Sequence, residues 1–216
     1  NLGQNYKYQA SEEEPFEVYY DDFDENGLKD IVLSYYNFGE KYPVRGRSCS
    51  AQQIPALASQ FNSYASFASS SLSQIYPEGL LNQSLHLTAT SFASVYVENL
   101  GDGKLGYERL PVQAQFSAMQ DAIIMDVNGD GNADVLSAGN LYVSEIETPR
   151  NDAGIGLAML GNGKGKLTPL SALESGVYLG ADIRKLRPLI LNGQSVIVVA
   201  ANDGQITVLR PTYSSP

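Results

Sequence analysis

The chain has 216 residues, room for one domain or two small ones with a substantial core. Its 24 acidic against 14 basic residues give a formal charge of −10. That balance argues against nucleic acid and anionic membrane surfaces as partners and favours cations. Cys49 has no second cysteine to pair with, and no apolar run is long enough to span a bilayer as a helix. The opening "NLGQNYKYQ" lacks Met and reads as the start of a mature protein or of a piece of a longer one.

In chain order, "NLGQNYKYQA" reads as a turn followed by a strand, and "SEEEP" (Ser11–Pro15) as a solvated linker. Residues 22–30, "DFDENGLKD", form an acidic loop followed by the strand-like "IVLSYYN". The Tyr-rich "YYNFGEKYPVRGR" has two readings: an aromatic ligand surface, or strand residues packed between the blades of a repeat fold. From about 48 to 88 the composition shifts to Ala, Ser, Gln and Leu with helical spacing of apolar residues. Ser50 and Ser63 are predicted N-caps, and Pro77 and Gly79 break the second helix. Ile54, Leu57, Phe61, Phe67, Leu72 and Ile75 form the apolar stripe and need a partner surface. His86, the single histidine, reads as packed or surface rather than catalytic.

Further along come a Gly-rich hairpin, "ENLGDGKL", and a predicted strand, "AIIMD". The loop "DVNGDGNAD" at 126–134 follows, then strands "VLSAG" and "GIGLAML", a second Gly-rich hairpin "LGNGKGKL", and a strand "KLTPL". A last copy starts near Val177. Its acidic loop is replaced by "LILNGQSV", which has no carboxylate, so no metal is expected there.

The two acidic loops align position by position, with Asp22 over Asp126, Asp24 over Asn128, Asn26 over Asp130, and Asp30 over Asp134. Oxygens at every second place, with Gly27 and Gly131 at the bend, suit a hard cation, since Ca²⁺ takes roughly 6–8 oxygen ligands. The predicted ligands are Asp22, Asp24, Asn26 and Asp30, and Asp126, Asn128, Asp130 and Asp134, with the backbone carbonyls of Leu28 and Asn132. Two Ca²⁺ ions are expected, one per loop. The competing reading is a pair of solvated polar hairpins. An EF-hand is excluded, because its twelfth-place Glu would fall on Ser137 or Leu33, inside strand-like runs. "GDGKLG" fits a dinucleotide fingerprint only in its glycines, and the Pro111-containing segment after it is no helix.

The acidic loops are 104 positions apart, but the Gly-rich hairpins at Gly101 and Gly161 are separated by sixty. The difference of 44 residues is read as the helical insertion, leaving the first copy between its second and third strands. Four strands in about sixty residues suggest a β-propeller blade.

The "DxNGDGxxD" pattern in "DVNGDGNAD" and the flanking hairpins resemble the FG-GAP/VCBS repeat family, including bacterial repeat proteins of ASPIC/UnbV-like type. "DFDENGLKD" departs from the pattern at Glu25 and Asn26. The resemblance implies an all-β fold over residues 1–216: a single β-propeller-like domain, or a propeller fragment of about three four-stranded repeats, with the helical insertion at about 48–88. It also implies Ca²⁺ in the blade loops and a non-catalytic module that binds protein or glycan ligands at a cell surface or outside the cell, with no nucleic acid and no membrane insertion. The alternative is a polysaccharide-active enzyme or its accessory domain, which would need two carboxylates about 5–9.5 Å apart in a cleft.

Overall fold

A computed structural model describes residues 1–144 and 148–212. The chain forms two compact units, one of residues 7–92 and one of residues 1–6 with 93–216.

In the 7–92 unit, strands β1 (Phe16–Asp21), β2 (Asp30–Asn37) and β3 (Glu40–Pro43) form an antiparallel meander. Five short helices follow: α1 (Arg47–Gln53), α2 (Ala56–Gln60), α3 (Tyr64–Ala68), α4 (Leu72–Ile75) and α5 (Glu78–Gln83). The chain then returns as β4 (Leu85–Ala89), which pairs with β1, so the sheet order is β3-β2-β1-β4. Strand alternation turns Glu17 and Tyr19 of β1, and Val32 and Ser34 of β2, to one buried face. Tyr19 and Val32 join Phe23 and all six stripe residues, Ile54 through Ile75, in one core. Ser63 caps α3 as expected, with its hydroxyl accepting from the Ser66 N–H. Ser50 is not a cap but a buried residue within α1, and Pro77 ends α4 while opening α5.

In the other unit, β5 (Val95–Gly101) and β6 (Lys104–Arg109) form a two-stranded hairpin. Strands β7 (Asp121–Met125), β8 (Asp134–Ala138), β9 (Leu157–Gly161) and β10 (Leu167–Pro169) form a four-stranded sheet. Helix α6 (Ala172–Ser175) follows, then a three-stranded sheet of β11 (Ile183–Leu191), β12 (Gln194–Ala201) and β13 (Thr207–Leu209). Ile123, Leu136 and Ala158 from the four-stranded sheet pack with Leu186, Ile197 and Val199 from β11 and β12. "LILNGQSV" is the β11–β12 hairpin, with Asn192 and Gly193 both at positive φ (51° and 78°), as a tight two-residue turn requires. Asn140, just after β8, is a tie. Buried Asn140 accepts from Ser117 Oγ (2.7 Å) and the Gly154 N–H (2.9 Å), and its amide donates to the carbonyls of Gly154 and Ala181.

The strand and turn expectations from 121 to 169 hold, but the architecture built on them does not. The described residues form four separate sheets of four, four, three and two strands, none closed, together with several helices. This is a mixed α/β fold, not an all-β propeller, and the FG-GAP/VCBS resemblance fails at that level. The physical reason lies in residues 44–92. The helices leave after the third strand, not between the second and third, and their apolar stripe supplies most of the 7–92 core instead of covering it from outside. β4 then fills the edge beside β1, so the order is not a blade's sequential meander. The opening "NLGQNYKYQA" forms bends, not the expected strand. The adhesion module and the polysaccharide-active alternative lose the propeller on which they rested. No helix among the described residues is long and apolar enough to cross a membrane.

Candidate metal centre

Each acidic loop connects two paired strands, Asp22–Lys29 between β1 and β2 and Asp126–Ala133 between β7 and β8. The last acidic residue of each loop opens the second strand and is buried, Asp30 at 4% exposure and Asp134 at 0%. The loops share four hydrogen bonds at aligned positions. The Phe23 and Val127 N–H groups donate to Asp30 and Asp134 (3.0 and 2.9 Å). The Gly27 and Gly131 N–H groups donate to Asp22 and Asp126 (2.7 and 2.9 Å). The Asn26 N–H donates to Asp24, as the Asp130 N–H does to Asn128 (3.3 and 3.0 Å). The Leu28 N–H donates to Asn26, as the Asn132 N–H does to Asp130 (2.8 and 2.7 Å). Side chains at alternate places thus wind the backbone around themselves, an Asx-turn device. Gly27 and Gly131, at φ 89° and 84°, take the left-handed bend.

In the first loop Asp22, Asp24 and Asp30 each bring a carboxylate oxygen within 4.8 Å of the others. Asp30 is held above its usual range, first by burial and then by the neighbouring charges of Asp24 and Asp22, against the single backbone bond from Phe23. Three carboxylates around one point, one of them buried, suit a hard divalent cation. Asn26 and the Leu28 carbonyl lie in the same turn.

The second loop differs. Among the described residues Asp22, Asp24 and Asp30 form the one acidic trio gathered this closely, so Asp126, Asp130 and Asp134 do not match it. Asn128 stands where the first loop has Asp24, and its amide donates to Asp130 (3.1 Å). Asp130 is held below its usual range, chiefly by the Asn132 N–H and then by Asn128. Asp134 is further occupied by the Gly161 N–H (2.8 Å). The loop with the fuller consensus is the more self-satisfied of the two, and the divergent loop carries the tighter carboxylate trio.

Sequence reasoning passed over a second polar cluster. Glu17 is buried and accepts from Tyr19 Oη (3.0 Å) and Ser34 Oγ (3.1 Å), pairs with Lys41 Nζ (2.5 Å), and lies 3.1 Å from His86 Nε2. Lys41 also donates to Tyr19 (3.0 Å), and the His86 ring stacks on Tyr19 at 4.4 Å and 3°. Burial pushes Glu17 up, but the bond and charge of Lys41 and the two hydroxyls outweigh it and hold the carboxyl below its usual range. Burial likewise disfavours the Lys41 cation, yet the bonds to Glu17 and Tyr19 raise it. Period-two alternation in "FEVYY" already put Glu17 on the inward face with Tyr19. That was the available signal.

No family model matches the chain, and no curated protein and no solved structure matches it.

Proposed function

We propose that this is a calcium-binding protein in which Ca²⁺ braces the two acidic hairpin loops, with Asp22, Asp24, Asn26, Asp30 and the Leu28 carbonyl serving one ion and Asp126, Asn128, Asp130, Asp134 and the Asn132 carbonyl the other. The observation that carries the reading is the gathering of Asp22, Asp24 and Asp30 within 4.8 Å, with Asp30 buried. All-oxygen donors in an irregular loop favour Ca²⁺ over Mg²⁺, which demands near-octahedral geometry at about 2.0–2.1 Å. The ion's role is structural: it offsets repulsion among carboxylates that the hairpins force together. The reading places the protein outside the cell, where modules with Ca²⁺ affinities of roughly 10⁻⁴–10⁻³ M work.

The chain has 14 Tyr and no Trp, so Tyr-sensitised terbium luminescence is a clean reporter. Terbium should bind and be displaced by Ca²⁺ in preference to Mg²⁺, with calorimetry giving two sites. Asp24→Ala should remove the first site and leave the second. A chain that takes up neither terbium nor millimolar Ca²⁺ sinks the proposal.

A further inference from the structure

The Glu17 cluster floors a cavity of about 560 Å³ in the 7–92 unit, within the roughly 300–1,000 Å³ of small-molecule sites. Tyr19, Lys41 and His86 come from the floor, Tyr36 and Glu40 from the β2–β3 hairpin, and Glu78 and Asn82 from α5. We propose that this cavity binds a small, neutral, polyhydroxylated molecule of about one sugar ring. The site is independent of the metal loops, and the inference does not rest on the calcium reading.

Three observations select this chemistry. First, the basic groups of the floor are already partnered: Lys41 is committed to Glu17 and Tyr19, and His86, the other basic side chain lining the cavity, to Glu17. An anion finds no free cation there, and it meets Glu40 and Glu78, which form no ion pair among the described residues. Second, the wall mixes donors and acceptors. Asn82 and Ser73 offer both, and Glu40 and Glu78 accept. Hydroxyl groups use both kinds of partner, whereas an ammonium uses acceptors alone. Third, the half-buried Tyr36 ring supplies apolar surface for the C–H face of a ring, while Leu72 and Leu81, both buried, only back the wall. The floor is preorganised: buried Glu17 is fixed by four partners, and His86 is held by Glu17 and the Tyr19 ring. Little ordering is then left to oppose binding.

The test is saturation-transfer NMR and calorimetry on the full chain in saturating Ca²⁺, with glucose, galactose and mannose against putrescine and succinate. At least one hexose should bind saturably. Asn82→Ala and Glu40→Gln, both at exposed positions, should each weaken it about tenfold, and Glu98→Gln on β5 should leave it unchanged. Three results overturn the proposal: no hexose saturates, hexose binding survives both cavity variants, or putrescine or succinate binds where the hexoses do not.

Discussion

Gly161 shows how closely one backbone position is held. It closes β9, its N–H donates to buried Asp134 (2.8 Å), and a Cβ there would lie 2.0 Å from the Ala133 carbonyl oxygen. That neighbour is backbone and cannot swing aside. Gly161→Ala should therefore destabilise by about 1–3 kcal/mol, read from urea unfolding, because the strand must shift and Asp134 loses a donor. It should also weaken cation binding at 126–134 more than at 22–30. Gly27→Ala meets no atom within 4 Å, so its cost comes only from the left-handed φ of 89°.

The Glu17–Lys41 pair sets a pH window. Glu17 is lowered in the folded state, so its contribution is present above the ordinary value of about 4.3 and is lost as pH falls through the folded value. Lys41 is raised, so its contribution is complete below about 10.4 and is lost as pH climbs through the folded value. Thermal scans should show a plateau between these limits with losses on both sides. The paired replacement Glu17→Gln with Lys41→Met should flatten both flanks. Unchanged flanks would mean other groups govern them.

At the scale of elements, the helical segment decides the fold of the 7–92 unit. Isolated helices of four to seven residues do not persist in water, so α1 to α5 exist by packing. Leu72, 2% exposed, belongs to the core shared with Tyr19 and Val32. Leu72→Ala should cost about 2–5 kcal/mol, measured by chemical denaturation, whereas Leu72→Met should cost under about 1.5 kcal/mol. A Leu72→Ala loss below about 1 kcal/mol would return the helices to the role of an outer cover. Their apolar spacing was legible in the sequence, as were Ser63 as a cap and the strands from 121 to 169. Their destination was not. A stripe such as Ile54, Leu57 and Phe61 says that a face is buried, not against which sheet. Likewise most of β4 fell inside the segment read as helical, 48–88, and nothing local reveals that it pairs with β1, 69 positions away at the Glu17–His86 contact. Repeated loops were legible because Asx-turn geometry is local; closure of sheets into a ring is a long-range property that local repetition does not determine.

At the scale of the whole molecule, the net charge of −10 and the placement of one acidic loop in each compact unit give chelation a distinctive signature. A cation that binds only the folded state stabilises it by about 2.7 kcal/mol at a free concentration of 100 Kd. For a domain of 150–250 residues that corresponds to roughly 5–11 °C in Tm, and to more for a smaller unit. Because residues 22–30 and 126–134 fall in different units, EDTA should lower both transitions where the units melt separately, and the single transition where they melt together. Asp22→Ala should abolish the calcium-dependent increment of the 7–92 unit alone, and Asp126→Ala that of the other. The increment, not the absolute Tm, is the quantity to compare, since each substitution also removes backbone bonds accepted by that carboxylate. Between the loops, the first should give the larger increment: its gathered trio with raised Asp30 gains more from a cation than the second loop, where Asn128 and Asn132 already hold Asp130. Equal melting with calcium and with EDTA would show that hydrogen bonds alone hold the loops. An increment confined to the second loop would show that the fuller consensus, not the carboxylate trio, makes the site.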